Sequence, residues 1–581
     1  MADMDILIKG GTVVDGTRVP RYRADLWIKD GKVAQIGGRA HGFAKKTIDA
    51  DGLIVAPGFV DLHTHYDAQI RWDPYCTISG WHGVTSLVLG NCGFGFAPVK
   101  PDFRERSMLT MTRTEAIPYA AMKAGMTWDW ETIPQYLDSL DRTPKGVNCI
   151  QYMPTASLMI YVMGLEAAKT RPANDRERAE MARLLHEGMD AGLCGFSIQR
   201  LGPDSVQADY DGSPMVTDTM CDEDIFNLAR VLCDRDEGFM EITQATDPAD
   251  NSADLAFVKR LAGVAMRPIL FQAVAPTRKN AEIHRRLLRW IDGCRREGLP
   301  IFGQGASVRS GFAFTLENWN LYDMSPAWRA LTTGTVEEKL AKMKDPEMRK
   351  AVIRETDEAD ARIRALQAGV GGNPKNLIVQ WVENHEELEK YVGKSLGQIG
   401  MEENKHPIDV MLDLSVATNL KAEFLGPNKG FNAEFMAEIF NASPYTFPGV
   451  SDGGAHTKFF TGGAFTTDFL RWLVREEQRI TLEEAHYRMS ALPAHAAGFR
   501  DRGMLREGLA ADVVVYDLNS LDVEPDWVGE IVHDFPGGEW RRVQHAKGYR
   551  SIIVNGVETF AEGRCTGATP GKLLRHGHAG A

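Results

Sequence analysis

Two histidines one residue apart, His63 and His65, close the apolar run 53–62. Val60, Leu62 and Thr64 alternate with Asp61, His63 and His65 at the period of a β-strand, which points both imidazoles to one face. Neutral ring nitrogens fixed at a strand end can bind a divalent metal; a histidine pair in a polar turn has the same spacing. Further on, residues 85–90 predict a second buried strand, and it ends on Asn91-Cys92-Gly93. A lone thiol there, next to a cation, would be deprotonated and would itself be a ligand. Late in the chain, Asp452 lies in the glycine-rich stretch 448–456 and His456 follows four residues on. Asp452 reads as a turn residue or as a functional carboxylate, and His456 as a loop histidine or as a contact to substrate or metal.

These residues need a scaffold that brings strand ends together. Short alternating segments at 6–8, 12–14, 24–28 and 33–36, with Asp15-Gly16 and Asp30-Gly31 turns, predict a small β-structure at the amino end. Segments 511–516 and 552–556 have the same character, so the two ends can close one sheet around what lies between. In that interior, predicted strands at 147–152, 195–198, 238–244, 267–272 and 301–304 alternate with amphipathic helices such as 176–191 and 222–234. Strand-then-helix repetition is the pattern of a parallel α/β barrel, whose chemistry sits at the C-terminal strand ends. Residues 316–376 break the rhythm as a charged, helix-rich insertion, either a cap over the site or a solvated excursion. The apolar run 377–380 is expected to return to the core.

Composition removes several classes. The chain has 581 residues, too many for one compact core, with 44% hydrophobic and 25% charged residues as in globular proteins. A formal net charge of -13 and no basic stripe argue against nucleic acid as a partner. No stretch has membrane-spanning length, and the first residues lack the pattern of a signal peptide. The eight cysteines are scattered without a CxxC pair, so a reduced, cytoplasmic enzyme is expected. The partner is then a small-molecule substrate, and the sequence leaves a homo-oligomer open.

PGFVDLHTHYD (57–67), HGVTSLVLGNCGFGFAP (82–98), the SDGG at 451–454 and the closing GRCTGATPGKLLR resemble the amidohydrolase superfamily, more narrowly its N-acyl-D-amino-acid deacylase (D-aminoacylase) family. The resemblance implies an α/β fold: a distorted TIM (β/α)8 barrel over residues 57–503 with a composite β-sandwich domain from residues 1–56 and 504–575. Residues 576–581 would be a disordered tail. It implies Zn2+, one or two ions, with other divalent metals open, held by His63, His65 and Cys92 with Asp452. Asp452 would also orient and deprotonate the attacking water. The family's histidines on the fifth and sixth barrel strands align here with Gln244 and with Ala273, beside Gln272. Neither is histidine, so Gln244, Gln272 and His456 stand as substitute metal or substrate contacts.

The reaction implied is hydrolysis of a C–N amide bond, foremost of an N-acyl-(D-)amino acid or similar linear amide. The missing histidines keep open a cyclic amide, imide, lactam or carbamate in another branch, and a decayed barrel that only binds. Arg200, Arg278 and Arg309, each just after a predicted strand, are candidate anchors for a substrate carboxylate or else surface charges. Tyr66, Trp72, Phe94 and Phe96 would face an apolar acyl group or serve core packing.

Overall fold

The computed structural model describes residues 4–38, 43–202, 205, 207–244, 251–276, 280–317, 322, 323, 325–366, 373–426 and 431–577. At the amino end lie β1 (Met4–Val13), β2 (Tyr22–Lys29), β3 (Lys32–Ile36), β4 (Ala44–Asp49) and β5 (Ile54–Pro57). The expected segments 6–8 and 12–14 are one strand. Its register against β2 shifts between Ile8 and Gly11, where Gly10 takes φ +73°, and the bulge bends the strand without ending it.

The interior then runs through β6 (Phe59–Asp61), β7 (Val84–Leu89), α1 (Arg104–Thr114), β8 (Asn148–Gln151), β9 (Met153–Pro154), β10 (Gly195–Arg200), β11 (Phe239–Gln244), β12 (Ile269–Val274) and β13 (Ile301–Ala306). Strands β6-β7-β8 form one parallel sheet. A second runs in the order β9-β10-β11-β12-β13 and is completed by β17 (Thr446–Gly449). Only Tyr152 separates β8 from β9, which joins the two sheets. At the other end Thr64 and Gly453 form a parallel bridge, so the strands close on themselves. Inside stand Val60, Leu62, Val88, Ile150, Tyr152, Phe239, Leu270, Phe302 and Phe447, a shared apolar core sealed by Leu492, Phe499 and Leu574. Helices cover the outside. In Asp222–Arg235, Ile225, Leu228, Ala229 and Leu232 are buried on one face, while Asp222, Glu223 and Asp224 sit in the first turn, where the helix dipole favours anions.

Between β13 and β17 the chain leaves the ring. β14 (Ala313–Phe314), β15 (Ile378–Trp381) and β16 (Glu423–Leu425) form a separate antiparallel sheet, and helices Pro326–Thr332, Val336–Lys344 and Pro346–Leu366 lie between β14 and β15. This excursion has its own core of Trp328, Val352, Leu377, Val379, Met411, Leu414 and Phe424, which reaches Ala116 and Phe459. The expectation that 377–380 rejoins the barrel is corrected: β15 pairs with β16, and the excursion extends to Leu425. An apolar run reports burial and not which core receives it.

After the ring come β18 (Val513–Tyr516), β19 (Asp522–Glu524), β20 (Glu530–Val532), β21 (Arg541–Val543), β22 (His545–Lys547), β23 (Tyr549–Val554), β24 (Val557–Ala561) and β25 (Arg564–Cys565). β18 pairs with both β5 and β23, so one nine-stranded sheet draws on both ends of the chain, in the order β25-β24-β23-β18-β5-β1-β2-β3 with β4 on β1. Ile8, Leu26, Ile28 and Val33 share its core with Val513, Val515 and Ile553. The chain stays packed past residue 575: the His576 N–H donates to Gly192 O at 3.0 Å, where a loose tail was expected, and 578–581 lie outside the described residues. Among the described residues no helix is long and apolar enough to cross a membrane.

Candidate metal centre

β6 ends at Asp61, earlier than the alternation predicts, and Thr64 then bridges to Gly453. His63 and His65 therefore lie on the short segment that joins β6 to the end of β17. The His65 N–H donates to Gly453 O at 2.7 Å. The Ser451 hydroxyl locks the same junction, 2.6 Å from Asp61 Oδ2 and 2.9 Å from His63 O. Ligand atoms of His63, His65 and Cys92 all lie within 4.8 Å of one another, and all three residues are buried. His63 Nε2 is 3.7 Å from Cys92 Sγ and 2.9 Å from Asp452 Oδ1; His65 Nε2 is 3.9 Å from the same carboxylate oxygen.

Backbone strain collects here. Cys92 (φ 57°), Val450 (φ 54°), Asp452 (φ 49°) and His456 (φ 53°) all occupy the left-handed region. Such residues cost about 1–3 kcal/mol each and persist where the surroundings hold them for a purpose; for β-branched Val450 the conformation is a clear outlier.

The other sequence candidates divide. Gln272 is in place: its amide donates to Glu241 Oε1 at 2.6 Å. Glu241 in turn accepts from Thr243 Oγ1 at 2.8 Å and from the Cys92 N–H at 2.9 Å. Gln244 is not at the centre. Strand alternation turns it outward, where its amide donates to Asp254 at 2.8 Å; the β11 side chain at the Cys92 sulfur is Thr243, 3.3 Å from Sγ. Ala273 is exposed where the β12–β13 register shifts between Gln272 and Val274. His456 is present, its Nε2 3.5 Å from Glu115 Oε2. Of the arginines, Arg200 pairs with Asp222 and Arg309 with Asp468, so neither is held for a substrate; Arg278 lies outside the described residues. Tyr66, Phe94 and Phe96 are core residues.

Two residues were not foreseen. Glu241 could have been read from the alternation that sets it with Thr243 on the inner face of β11. Glu115, 3.7 Å from His65 Nε2, follows α1, and nothing local in the sequence marks it.

The electrostatics fit a cation. Burial pushes Glu115 up to about 8, with the Asp452 charge adding to it, and burial likewise pushes Glu241 and Asp61 up to about 7. Burial, then Glu241 and Glu115, drive the Cys92 thiol well above its usual range. Burial and the neighbouring His63 lower His65 to about 3. Burial opposes charge on His63 and Asp452 too, but their mutual hydrogen bond raises the imidazole and holds the carboxylate well below the usual range. Thiol, carboxyls and imidazoles thus crowd one pocket with too little positive charge, a deficit that a divalent ion on His63, His65 and Cys92 would relieve. Asp452, 23% exposed, is the open side of the cluster. It faces a narrow cleft that is also lined by Tyr66, Thr457, Arg541 and Arg542.

Residues 46–560 match the amidohydrolase family, and the chain belongs to it. It is a hydrolase acting on carbon–nitrogen bonds other than peptide bonds. Within the family its likeness is to the D-aminoacylases. It is 26% identical to the N-acyl-D-aspartate deacylase of Alcaligenes xylosoxydans xylosoxydans, over 100% of this chain and 96% of that one. The D-aminoacylase of the same organism is also 26% identical, over 98% and 97%. The crystal structure of the N-acyl-D-glutamate deacylase from Bordetella bronchiseptica, complexed with zinc and a phosphonate inhibitor, superimposes with a TM-score of 0.66 over 99% of this chain and 100% of that one, at 23% identity.

Proposed function

We propose that this protein is a metal-dependent hydrolase of linear amides, with an N-acyl-(D-)amino acid as the substrate class and Asp452 as general base. The observation that carries the reading is the convergence of His63, His65 and Cys92 on one point, with Asp452 at 2.9 Å from His63 on the open side. His63, His65, Cys92 and Asp452 would hold the ion, zinc by the chemistry of the donors, and when bound it supplies Lewis acidity toward the scissile carbonyl and toward water. Asp452, beside His63 on the open side of the cluster, is placed to take the proton of the attacking water and return it to the leaving nitrogen. Two guanidiniums line the cleft beside it. Arg541 is braced by Asp534 and the Thr77 carbonyl, and Arg542 by Glu423 and the Lys458 carbonyl. Each is already paired with a carboxylate, so the two offer N–H donors at the cleft wall and little net charge. We read the closed ring, residues 57–503, as the family's distorted (β/α)8 barrel, and 1–56 with 504–575 as its composite β-sandwich domain.

A second reading, a cyclic amide or imide, draws support from the neutral side chains Thr243 and Gln272 on β11 and β12. The test is hydrolysis of N-acyl-D-amino acids against cyclic amides, with metal content measured by elemental analysis. Asp452→Asn is expected to abolish turnover of the acyl amino acid while metal stays bound. Cleavage of cyclic amides alone would select the second reading, and unchanged turnover in Asp452→Asn would remove that residue from the mechanism.

A further inference from the structure

We propose that Glu115 is a metal donor which, with His65 and His456, forms a second cation position on the α1 side of the centre. The inference rests on the metal-dependent reading above and adds Glu115, which lies outside the motifs that suggested that reading.

Glu115 caps the C-terminus of α1, is 1% exposed, and its Oε1 has no hydrogen-bond partner among the described residues. A buried carboxylate oxygen without a donor costs about 1–3 kcal/mol or more, so the site calls for a positive partner. Its Oε2 is 3.7 Å from His65 Nε2 and 3.5 Å from His456 Nε2. Both are longer than the roughly 2.7–3.2 Å of an N–H···O bond. Two donors about 2.1 Å from one tetrahedral ion are themselves about 3.4 Å apart. The spacing is that of donors around an ion, more than of a carboxylate bonded to imidazoles.

The backbone fixes the set. The His456 N–H donates to Glu115 O at 2.5 Å, and Ala116 (φ 48°) and His456 (φ 53°) are both left-handed, so the end of α1 and the loop after β17 hold one geometry. The negative end of the α1 dipole points at the same place and favours a cation there. Asp452 Oδ1, 2.9 Å from His63 Nε2 and 3.9 Å from His65 Nε2, stands between this position and the one on His63 and Cys92, so that with two ions bound His65 serves this position while His63, Cys92 and Asp452 keep the first. Imidazole and carboxylate donors suit zinc, cobalt or manganese. This position would supply from α1 and the β17 loop what Thr243 and Ala273 cannot.

The full chain, stripped of metal and titrated with Zn2+ and with Co2+, tests the assignment through elemental stoichiometry and the cobalt absorption spectrum. The wild type is expected to hold two equivalents. Glu115→Gln, which keeps the side-chain shape, is expected to hold one, and His456→Asn, on a different element, to lose the same equivalent. Far-UV circular dichroism and the thermal transition establish that each variant is folded. A wild type that binds a single ion, or a Glu115→Gln that binds two with unchanged affinity and spectrum, overturns the proposal and leaves the metal-dependent reading standing. A wild type that binds no ion after reconstitution overturns both.

Discussion

The two walls of the ring's rim are built differently. On the side where β6 and β7 meet β17, the chain places two imidazoles, a thiol and a carboxylate, on a backbone with left-handed residues at Cys92, Val450, Asp452 and His456. On the opposite side, β10 to β13 are parallel strands whose register sets Gln199, Thr243, Gln272 and Gln304 side by side. Gln199 and Gln304 are fully buried, and neither side chain has a hydrogen-bond partner among the described residues. One wall can be charged and can bind a cation; the other offers neutral amides that donate and accept. The second wall carries no histidine at these positions, and its groups suit hydrogen bonding better than metal ligation.

Three substitutions test this division. Cys92→Ala removes a donor from the charged wall, and we expect metal content to fall and kcat/KM to drop about 10³-fold or more; retention of both would place the metal elsewhere. Gln272→Leu takes one of two side-chain donors from Glu241 Oε1 and leaves the Thr243 hydroxyl as the other. It should destabilise the fold by about 0.5–1.5 kcal/mol in urea denaturation and leave metal content unchanged. Loss of metal in that variant would mean that the neutral wall positions the ion after all. Gln304→Leu touches no partner in the described structure. We expect wild-type stability within about 1 kcal/mol and a change in KM larger than that in kcat; an unchanged KM would remove the amide row from substrate binding.

The charged wall was largely legible in the sequence. HxH, Cys92 and SDGG are local motifs, and a strand end or a glycine turn fixes their geometry within a few residues. The neutral wall was half legible. The alignment pointed to Gln244 and Ala273, with Gln272 only beside it, while strand alternation sets Thr243 and Gln272 in register on the inner face. Glu115 was not legible, because it reaches His65 and His456 only through the direction of α1 and a backbone bond to the β17 loop. The end of the excursion was misplaced for a related reason: residues 377–380 are as apolar as a ring strand, and only pairing with β16 assigns them.

The junction of Thr64 with Gly453 also bears on the order of events in the life of the chain. Ser451 fastens Asp61 across 390 positions, and His63 meets Asp452 over a similar span. No amino-terminal fragment released during synthesis carries both halves of the centre, and contacts so distant in sequence form slowly. Capture of an ion by the complete donor set thus reports that the last stave has docked onto the first. A nicked or truncated chain would keep much of its secondary structure and still be silent.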